Sequence, residues 1–541
     1  NGHVKQETAS ASGSVTTTSD LGDGSESITT KYSYDDRGNK ISEVYANGAK
    51  KTYEYNSRNL VVKTQSYDKE GTKTLISRYR YDDYGQLLEM TDYRVSSETE
   101  TAYRYTEYTY DQRGRITAFA EISQNAQPTA DDIKVDQIQY TYNEDGNLSK
   151  VSYPTTKDGI QSLSYIYDEN GWLQEIKGEL HSKGQTTEKV LRSYTYDTFG
   201  RLVKTVTTDY KKNDQTKTIT YTYDNVGNRL KEDDGTTTTS YTYNGLDQLK
   251  TSTKEKGTAV EEVRQYDYDA NGNQTDVKNT KTGEDQTYVY DAENRLSQVS
   301  VTKDGKTAVI QQNIYNGEGQ RIQKVDGDET TNYYYQNGVV AYTTDANGEQ
   351  NSQNLIGTDG NVLATERFQQ NATQYYLYNK DIQESTSSLV KEDGSADATY
   401  QYTDFGETTI QGNDQAKNEV CYTGGIYDQS TGLYYLNARY YNPEDGRFMT
   451  EDSYRGEIMK PEIGHLYVYC ANNPVNYVDP SGHKAKIVIY YNKKGKGFKK
   501  QAMHSPYYKN SQVTFKSVIK KAQFKKEWDK IPKGTSELYL Y

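Results

Sequence analysis

Hydrophobic and polar positions alternate with a period of two along most of the chain, in short runs that each end in turn-forming residues. In the first clear run, alternation places Tyr32 and Tyr34 on one face of a strand. Residues 35–39 (DDRGN) supply turn chemistry, because Asp bonds the backbone two residues on and Gly38 permits a positive φ. The chain then reverses into a second alternating run over residues 40–45, so the unit is predicted to be a β-hairpin.

The pattern aromatic-x-Tyr-Asp/Asn of this hairpin returns along most of the chain, with successive clear copies beginning 20 to 32 residues apart. Repetition of this kind indicates a repeat architecture. Short turns such as Asn47-Gly48 lead from one hairpin to the next, which favours an antiparallel meander over a parallel solenoid with long crossovers. Clear copies begin at Tyr32, Tyr53, Tyr79, Tyr108, Tyr140, Tyr165, Tyr194, Tyr221, Tyr241, Tyr266 and Tyr288, and weaker copies at Ile314, Tyr333 and Tyr376.

The number of copies limits the architecture. About fourteen hairpins give roughly 28 strands, which at about 4.8 Å each form a sheet on the order of 130 Å wide. Flat open sheets of that width are unusual, and a sheet several times wider than an eight-stranded barrel must enclose a cavity when it curls. We therefore predict a mostly β, hollow shell with a largely polar inner surface. Periodicity alone is equally compatible with an extended adhesive stalk.

Composition shows what can fill such a sheet. Only 33% of the 541 residues are hydrophobic, which by itself would favour disorder. The 56 tyrosines change that interpretation, because each supplies a large apolar ring and a hydroxyl that can stay hydrated. The predicted core is therefore built from tyrosine.

Few residues offer catalytic or metal-binding chemistry. Cys421 and Cys470 are the only cysteines and there are five histidines, so a disulfide-dense scaffold, a four-cysteine zinc site and a His-dependent triad in the repeats are all disfavoured. We predict no metal and no cofactor. The chain has no apolar run of about 18 residues, so no membrane-spanning helix is predicted. It begins as if cut from a longer sequence.

Charge divides the chain into two parts. Residues 483–541 contain 15 Lys, no Arg and 3 acidic residues, a net charge of +12, which leaves −25 of the total of −13 for residues 1–482. Apolar runs over residues 485–491 and 513–519 and a helical pattern over 522–531 predict a small basic α/β domain that is incomplete at residue 541. Its lysines favour either a solvated face or a nucleic-acid-binding toxin, and His504 is a candidate general base there.

The tyrosine-aspartate repeats resemble the YD repeats of Rhs, wall-associated and teneurin-type proteins. Residues 427–448 read YDQSTGLYYLNARYYNPEDGRF and residues 465–482 read HLYVYCANNPVNYVDPSG, and both resemble the Rhs-associated core domain. The resemblance divides the chain into a flexible or partial repeat (1–27), a YD-repeat shell (28–419), a core domain (420–482) and a toxin domain (483–541). The core motif residues are Tyr427, Gly432, Arg439, Tyr440, Tyr441, Pro443, Gly446, Pro480 and Gly482.

In polymorphic toxins of this family the resemblance implies a β-shell that encapsulates a C-terminal toxin and delivers it in contact-dependent competition or host interaction. It favours the shell over the stalk. The implied partners are the chain's own toxin domain and a cognate immunity protein, and the implied location is secreted or bound to a bacterial cell wall. The alternative function is a surface adhesin whose tyrosines stack on glycans, although sheet packing explains the tyrosines equally well.

Some relatives release the cargo by self-cleavage through two aspartates of the core, which here match Asp452 and Asp479. Two carboxylates that share a proton can supply one acid and one base for peptide hydrolysis, and the resemblance places the cut between His483 and Lys484. Arg447 is a candidate to orient the pair, or else a structural arginine. This chain departs from the family pattern after Asp452 and at His483, so the alternative is that the two aspartates cap turns.

Overall fold

The computed structural model describes residues 4–9, 14–20, 27–44, 48–123, 127–135, 137–154, 159–182, 184–336, 338–356, 361–369, 372–391, 395–452, 465–483 and 486–487. Within these residues the chain is mostly β-strand. One short helix, α1 (Ala130–Val135), and three 3-10 turns at Tyr210–Lys212, Tyr422–Gly424 and Cys470–Asn472 interrupt the strands. None of the described helices is long and apolar enough to cross a membrane.

A sheet of 34 strands forms the wall of the molecule. Every strand pairs antiparallel with the next one along the chain, so the sheet is a continuous meander. The strands are β1 (Val4–Ala9), β2 (Ser14–Asp20), β3 (Ser27–Tyr34), β4 (Lys40–Val44), β5 (Lys50–Tyr55), β6 (Val61–Tyr67), β7 (Lys73–Tyr81), β8 (Leu87–Ser96), β9 (Thr99–Tyr110), β10 (Ile116–Ser123), β11 (Gln137–Tyr142), β12 (Leu148–Ser152), β13 (Gly159–Tyr167), β14 (Leu173–Ser182), β15 (Gln185–Tyr196), β16 (Leu202–Asp209), β17 (Gln215–Tyr223), β18 (Arg229–Asp233), β19 (Thr237–Tyr243), β20 (Leu249–Lys256), β21 (Ala259–Tyr268), β22 (Gln274–Asn279), β23 (Glu284–Tyr290), β24 (Leu296–Lys303), β25 (Lys306–Tyr315), β26 (Arg321–Asp326), β27 (Glu329–Gln336), β28 (Val339–Thr344), β29 (Gln350–Ile356), β30 (Val362–Gln369), β31 (Ala372–Lys380), β32 (Thr386–Lys391), β33 (Ala396–Tyr402) and β34 (Thr408–Gly412).

The wall has three more hairpins than the repeat pattern predicts: β1–β2, β29–β30 and β33–β34. None of the three carries the full aromatic-x-Tyr-Asp/Asn signature. In β33–β34 a threonine replaces the acidic residue, yet residues 403–407 close the same turn, with the Thr403 N–H donating to the Glu407 carbonyl at 3.1 Å. The turn therefore forms without an aspartate at its first position, and its fourth residue, Gly406, takes the left-handed φ of +94° that the bend requires.

Hairpin β17–β18 shows how each repeat is held. Asp224 accepts three backbone N–H bonds across its turn, from residues 226 to 228 at 2.8 to 3.0 Å, and Gly227 takes φ +99° at the bend. The Tyr223 hydroxyl donates to the carbonyl of Leu202, the first residue of a strand in the preceding hairpin, at 2.8 Å. The same bond to the first residue of an earlier strand is made by Tyr55, Tyr81, Tyr110, Tyr142, Tyr167, Tyr196, Tyr243, Tyr290, Tyr315, Tyr335 and Tyr402.

The ribbon curls back on itself. Lys69 forms an ion pair with Glu349, and the Gln353 amide donates to the Ser66 hydroxyl at 3.3 Å, although about 280 residues separate the partners. Ala49 packs into a cluster with the wall tyrosines Tyr334 and Tyr342. Contacts between strands this far apart in sequence require a wrapped wall, so the mostly β shell predicted from the repeats is confirmed and the straight stalk is excluded.

The last hairpin of the wall turns inward. Its tip residue Phe405 packs edge-on against Tyr221 of β17, with ring centroids 5.3 Å apart. The Tyr221 hydroxyl donates to the Asp404 carboxylate at 2.8 Å, and the Arg229 guanidinium lies 4.7 Å from the Phe405 ring centroid. The end of the ribbon therefore lies inside the wall that its earlier repeats build.

Candidate functional site

Inside the wall lies a compact unit, residues 420–452 and 465–482, that we call the plug. It contains a four-stranded antiparallel sheet made of β35 (Ile426–Asp428), β36 (Leu433–Leu436), β37 (Arg439–Asn442) and β38 (Arg447–Phe448). A two-stranded pair follows, β39 (Tyr477–Val478) with β40 (Lys486–Ile487). The rest of the predicted basic domain, including His504, lies outside the described residues.

The plug packs on the tyrosine face of the wall. One buried cluster joins Tyr241, Tyr266 and Tyr288 of the wall to Tyr435 and Tyr440 of the plug. Two further clusters, one on each side, extend these contacts from β12 to β33. Strands from more than half of the ribbon can meet one small unit only if the tyrosine face is concave, so the motif tyrosines line the inside of the shell.

Polar side chains of the plug bind the glycine turns of four wall repeats between β15 and β26. Each bond satisfies a turn carbonyl that no strand partner reaches, so the plug stabilises the turns as well as the strands of the wall. The bonds run from Asn473 Nδ2 to Gly200 O at 2.7 Å, from Asn472 Nδ2 to Gly227 O at 2.7 Å, from the Tyr467 hydroxyl to Gly272 O at 2.8 Å and from the Tyr435 hydroxyl to Gly319 O at 3.2 Å. The two asparagines belong to the core-domain sequence at residues 465–482, but nothing in the sequence indicates that they contact the wall.

A buried ion pair also fixes the plug to the wall. Arg321 of β26 and Asp428 of β35 have fully buried side chains, and their charged groups are 2.5 Å apart. Burial by itself would raise the pKa of Asp428, but the charges of Arg321 and Lys324 hold it below its ordinary value. The Tyr440 hydroxyl bonds both members of the pair, at 2.7 Å from Arg321 and 3.3 Å from Asp428. The plug is therefore joined to the wall by charge as well as by aromatic packing.

The predicted aspartates meet around one arginine. Arg439 of β37 approaches Asp452 to 2.8 Å and Asp479 to 4.0 Å through the same Nη2 atom. Its Nε donates to the Gly482 carbonyl, and its guanidinium lies 3.6 Å from the centroid of the Phe448 ring. The arginine thus connects both carboxylates to the backbone at the end of the plug.

The two aspartates differ in environment. Asp479 is 2% exposed, and its pKa is raised by burial and, more weakly, by the Asp452 charge, against the opposing effect of Arg439. It accepts bonds from the Ser481 N–H and hydroxyl at 3.3 and 3.2 Å. Asp452 is 16% exposed and lies closer to Arg439. The pair therefore combines a buried carboxyl of raised pKa with a more exposed carboxyl that lies 2.8 Å from an arginine.

The chain leaves this pair through a constrained glycine. Gly482 has φ +69°, and an added Cβ would lie 2.5 Å from the Leu436 carbonyl oxygen and 2.9 Å from the Arg439 nitrogen. His483 follows with its Nδ1 3.9 Å from Asp452 Oδ1. The predicted cut after His483 is thus one residue beyond the backbone that Arg439 holds, and Lys484 lies outside the described residues.

Arg447 lies apart from this pair. It donates to Asn228 Oδ1 at 3.1 Å and to the Asp247 carbonyl, and it packs over Tyr243 at 4.8 Å. These partners belong to the turns and strands of the wall, so the position does not support a role for Arg447 in orienting the aspartates. Arg439, assigned from sequence only to the core motif, holds that position instead.

The other core motif residues build the plug. The Tyr441 hydroxyl donates to the Phe405 carbonyl at 2.6 Å, Tyr427 packs on Tyr434, and Tyr440 bonds the Arg321–Asp428 pair. Gly446 lies against Phe405, where an added Cβ would be 3.1 Å from its ring. Gly432 ends the β35–β36 turn with φ +73°, Pro443 follows Asn442 in the β37–β38 turn, and the Pro480 carbonyl accepts a bond from Asn437 at 3.0 Å.

Among the described residues no group of three or more His, Cys, Asp or Glu side chains could hold a metal ion. The candidate site of the plug is the Asp452–Asp479 pair with Arg439 between the two carboxylates.

The chain is similar to known proteins in sequence and in structure. A sequence-family model described as Teneurin YD-shell matches residues 24–475. The tRNA3(Ser)-specific nuclease WapA of Bacillus spizizenii is 27% identical over 465 residues, and the tRNA nuclease WapA of Bacillus subtilis is 29% identical over 465 residues. Each alignment covers 81% of this chain but only 17% of the relative. A crystal structure of TcdB2-TccC3-Cdc42 aligns with 91% of this chain and 31% of its own, at 16% identity and a TM-score of 0.31.

Proposed function

This chain belongs to the Teneurin YD-shell family, and from that premise we propose that its wall encloses the segment after residue 482 and delivers it as a toxin. The observation that carries the proposal is the position of the plug. Its last residues, 479–482, are bonded to Asn437 and Arg439 of the plug, which packs on the concave face of the wall, and the basic segment follows them directly in sequence. The match to WapA proteins, which are named as tRNA nucleases, supports a toxin as the enclosed segment.

Charge supports the same arrangement. The segment 483–541 carries +12 and the remainder of the chain −25, so enclosure places opposite charges together. Ionic screening limits this attraction to about 8 Å at physiological salt, so it acts between the segment and the side chains next to it rather than across the whole molecule.

Protection from protease tests the enclosure. A specific protease site is placed between Lys499 and Lys500 in one variant, and in a matched control it replaces the exposed turn at residues 281–283. Both variants carry Asp479→Asn so that the chain stays intact. We expect rapid cutting of the control turn and no cutting of the basic segment until the wall is unfolded. Equal cutting at both sites in the native chain would refute enclosure.

We further propose that Asp452 and Asp479 cut the chain between His483 and Lys484. In this step the Asp452 carboxylate takes a proton from water, the water oxygen bonds to the His483 carbonyl carbon, and Asp479 gives its proton to the Lys484 nitrogen as the C–N bond breaks. Arg439 positions both acids. The raised pKa of Asp479 and the Arg439–Asp452 contact of 2.8 Å support this division of roles.

Gel analysis of purified chains tests the cleavage. We expect the native chain to give two fragments that separate at residue 483, and Asp479→Asn to give one intact band. Asp397→Asn is the matched control, because Asp397 is an equally buried aspartate of β33 that is remote from Arg439 in the bonding pattern. An Asp479→Asn chain cut as completely as the control would rule out this mechanism and leave the enclosure proposal untouched.

A further inference from the structure

A cavity of about 250 Å³ separates the plug from the wall. Three parts of the fold face it: wall strands β17–β21, the inward turn after β33 and the turn between β37 and β38. Its lining contains six carboxylates and three cationic side chains, so it has an excess of acids. It lies on the tyrosine face, since Tyr241 and Ser252 also line it.

Most of the charged groups on the wall side are paired. Lys217 lies 3.0 Å from Asp234, and Arg229, just outside the lining, lies 3.1 Å from Glu232. Lys254 also faces the cavity, from β20.

Arg264 of β21 binds one acid from each side of the cavity. It lies 2.9 Å from Glu262 on its own strand and 2.5 Å from Glu444 of the plug. These ion pairs involve four of the six acids of the lining. The other two acids, Glu407 and Asp445, form no ion pair among the described residues.

The two remaining acids come from the inward turn and the plug. Glu407 has no ion pair or side-chain hydrogen bond among the described residues, and it faces Glu232 and Glu444. Asp445 accepts bonds from the Tyr266 hydroxyl at 2.9 Å and from Asn442 at 2.8 Å, and has no ion pair in the described part of the chain. Asp445 is therefore held by neutral donors, and Glu407 lies among the acids Glu232 and Glu444, with the cations Arg229 and Lys254 also close enough to act on it.

We propose that this cavity is a proton-operated latch between plug and wall, closed when Glu407 and Asp445 are protonated and loosened when both are ionised. Ionisation would place Glu407 of the inward turn against Glu232 of the wall and Glu444 of the plug, so all three parts of the fold would repel one another in a confined space. The inference is independent of what the shell contains.

The titration of the two acids agrees with the geometry. Burial raises the pKa of Glu407 to about 7, and the charges of Glu232 and Glu444 add to this effect against Arg229 and Lys254. Burial raises the pKa of Asp445 to about 6, with Glu444 adding and Arg264 opposing. Because both values exceed those of unfolded carboxyls, the stabilisation is complete at acid pH and is lost as pH rises through about 6 and about 7.

Hydrogen–deuterium exchange of the full chain tests the latch at about pH 5.5 and about pH 8. After correction for intrinsic rates, we expect exchange in residues 403–407 and 442–446 to be roughly tenfold faster at the higher pH. Glu407→Gln combined with Asp445→Asn should remove most of that difference by slowing exchange at the higher pH. Glu261→Gln, an exposed site outside the cavity, is the matched control and should keep the native ratio.

Two outcomes would overturn the proposal. One is a native chain whose corrected exchange in these turns does not change between the two pH values. The other is a double variant that exchanges faster than the native chain at the higher pH, because the ionised acids would then be stabilising the contact.

Discussion

At the scale of the residue, one tyrosine in most repeats has two functions. Its ring fills the inner face of the wall and its hydroxyl closes a bond to the preceding hairpin, as Tyr223 does to Leu202 at 2.8 Å. This double role explains how a chain with only 33% hydrophobic residues folds, because each tyrosine supplies apolar area and satisfies a backbone carbonyl at the same time.

Removal of one such hydroxyl tests this role. Tyr223→Phe should lower the free energy of unfolding by about 1 kcal/mol, because the Leu202 carbonyl loses its donor while the ring packing remains. Tyr84→Phe is the control, since Tyr84 is 92% exposed and its hydroxyl makes no hydrogen bond in the described structure. Denaturant titration of both variants measures the difference, and equal effects would mean that the hydroxyl bond contributes nothing.

The buried pair of Arg321 and Asp428 gives a second prediction at this scale. Asp428→Asn should destabilise the docked plug by about 3 to 5 kcal/mol, because Arg321 would stay buried without its counter-charge. In contrast, Glu329→Gln should have no measurable effect, since the Lys417–Glu329 pair is 72% and 70% exposed. Thermal unfolding of the two variants decides the point, and a stable Asp428→Asn plug would contradict the anchoring role.

At the scale of the element, the repeated hairpin could be predicted from the amino-acid sequence. The turn at residues 35–39 forms as expected, and the second strand ends within one residue of its predicted limit, at Val44. The three missed hairpins carry weaker signals, because β29–β30 has no motif tyrosine and β33–β34 has Thr403 at the acidic position. Pairing with an existing sheet edge forms such strands without a local signature.

Turn glycines differ in what surrounds them. Gly200→Ala should cost clearly more stability than Gly38→Ala, although both glycines have a φ near +83°. An added Cβ at Gly200 would lie 2.6 Å from the Trp172 ring, whereas at Gly38 nothing lies within 4 Å. The Gly38 variant should lose only about 1 to 2 kcal/mol of stability, because alanine is strained in the left-handed backbone conformation. Equal losses in denaturant titration would show that the turn packing is loose.

At the scale of the whole molecule, only part of the arrangement of wall and plug could be predicted from the sequence. The wall could be anticipated from the number of strands, and the pairing of Asp452 with Asp479 from the family resemblance. The identity of the central arginine could not, because Arg439 and Arg447 are eight positions apart on neighbouring strands and the sequence does not show which of them faces the aspartates. The proposed latch could not be predicted from the sequence either, because Glu232, Glu407 and Asp445 line the same cavity only after the ribbon curls.

The most direct test of the account is a cryo-electron microscopy map of the full chain that carries Asp479→Asn. We predict a closed wall of antiparallel strands with its tyrosines on the concave side, the plug inside against the turns at Gly200, Gly227, Gly272 and Gly319, and density for the basic segment within the same wall. A rod without a lumen, or a plug attached to the outer surface, would contradict it.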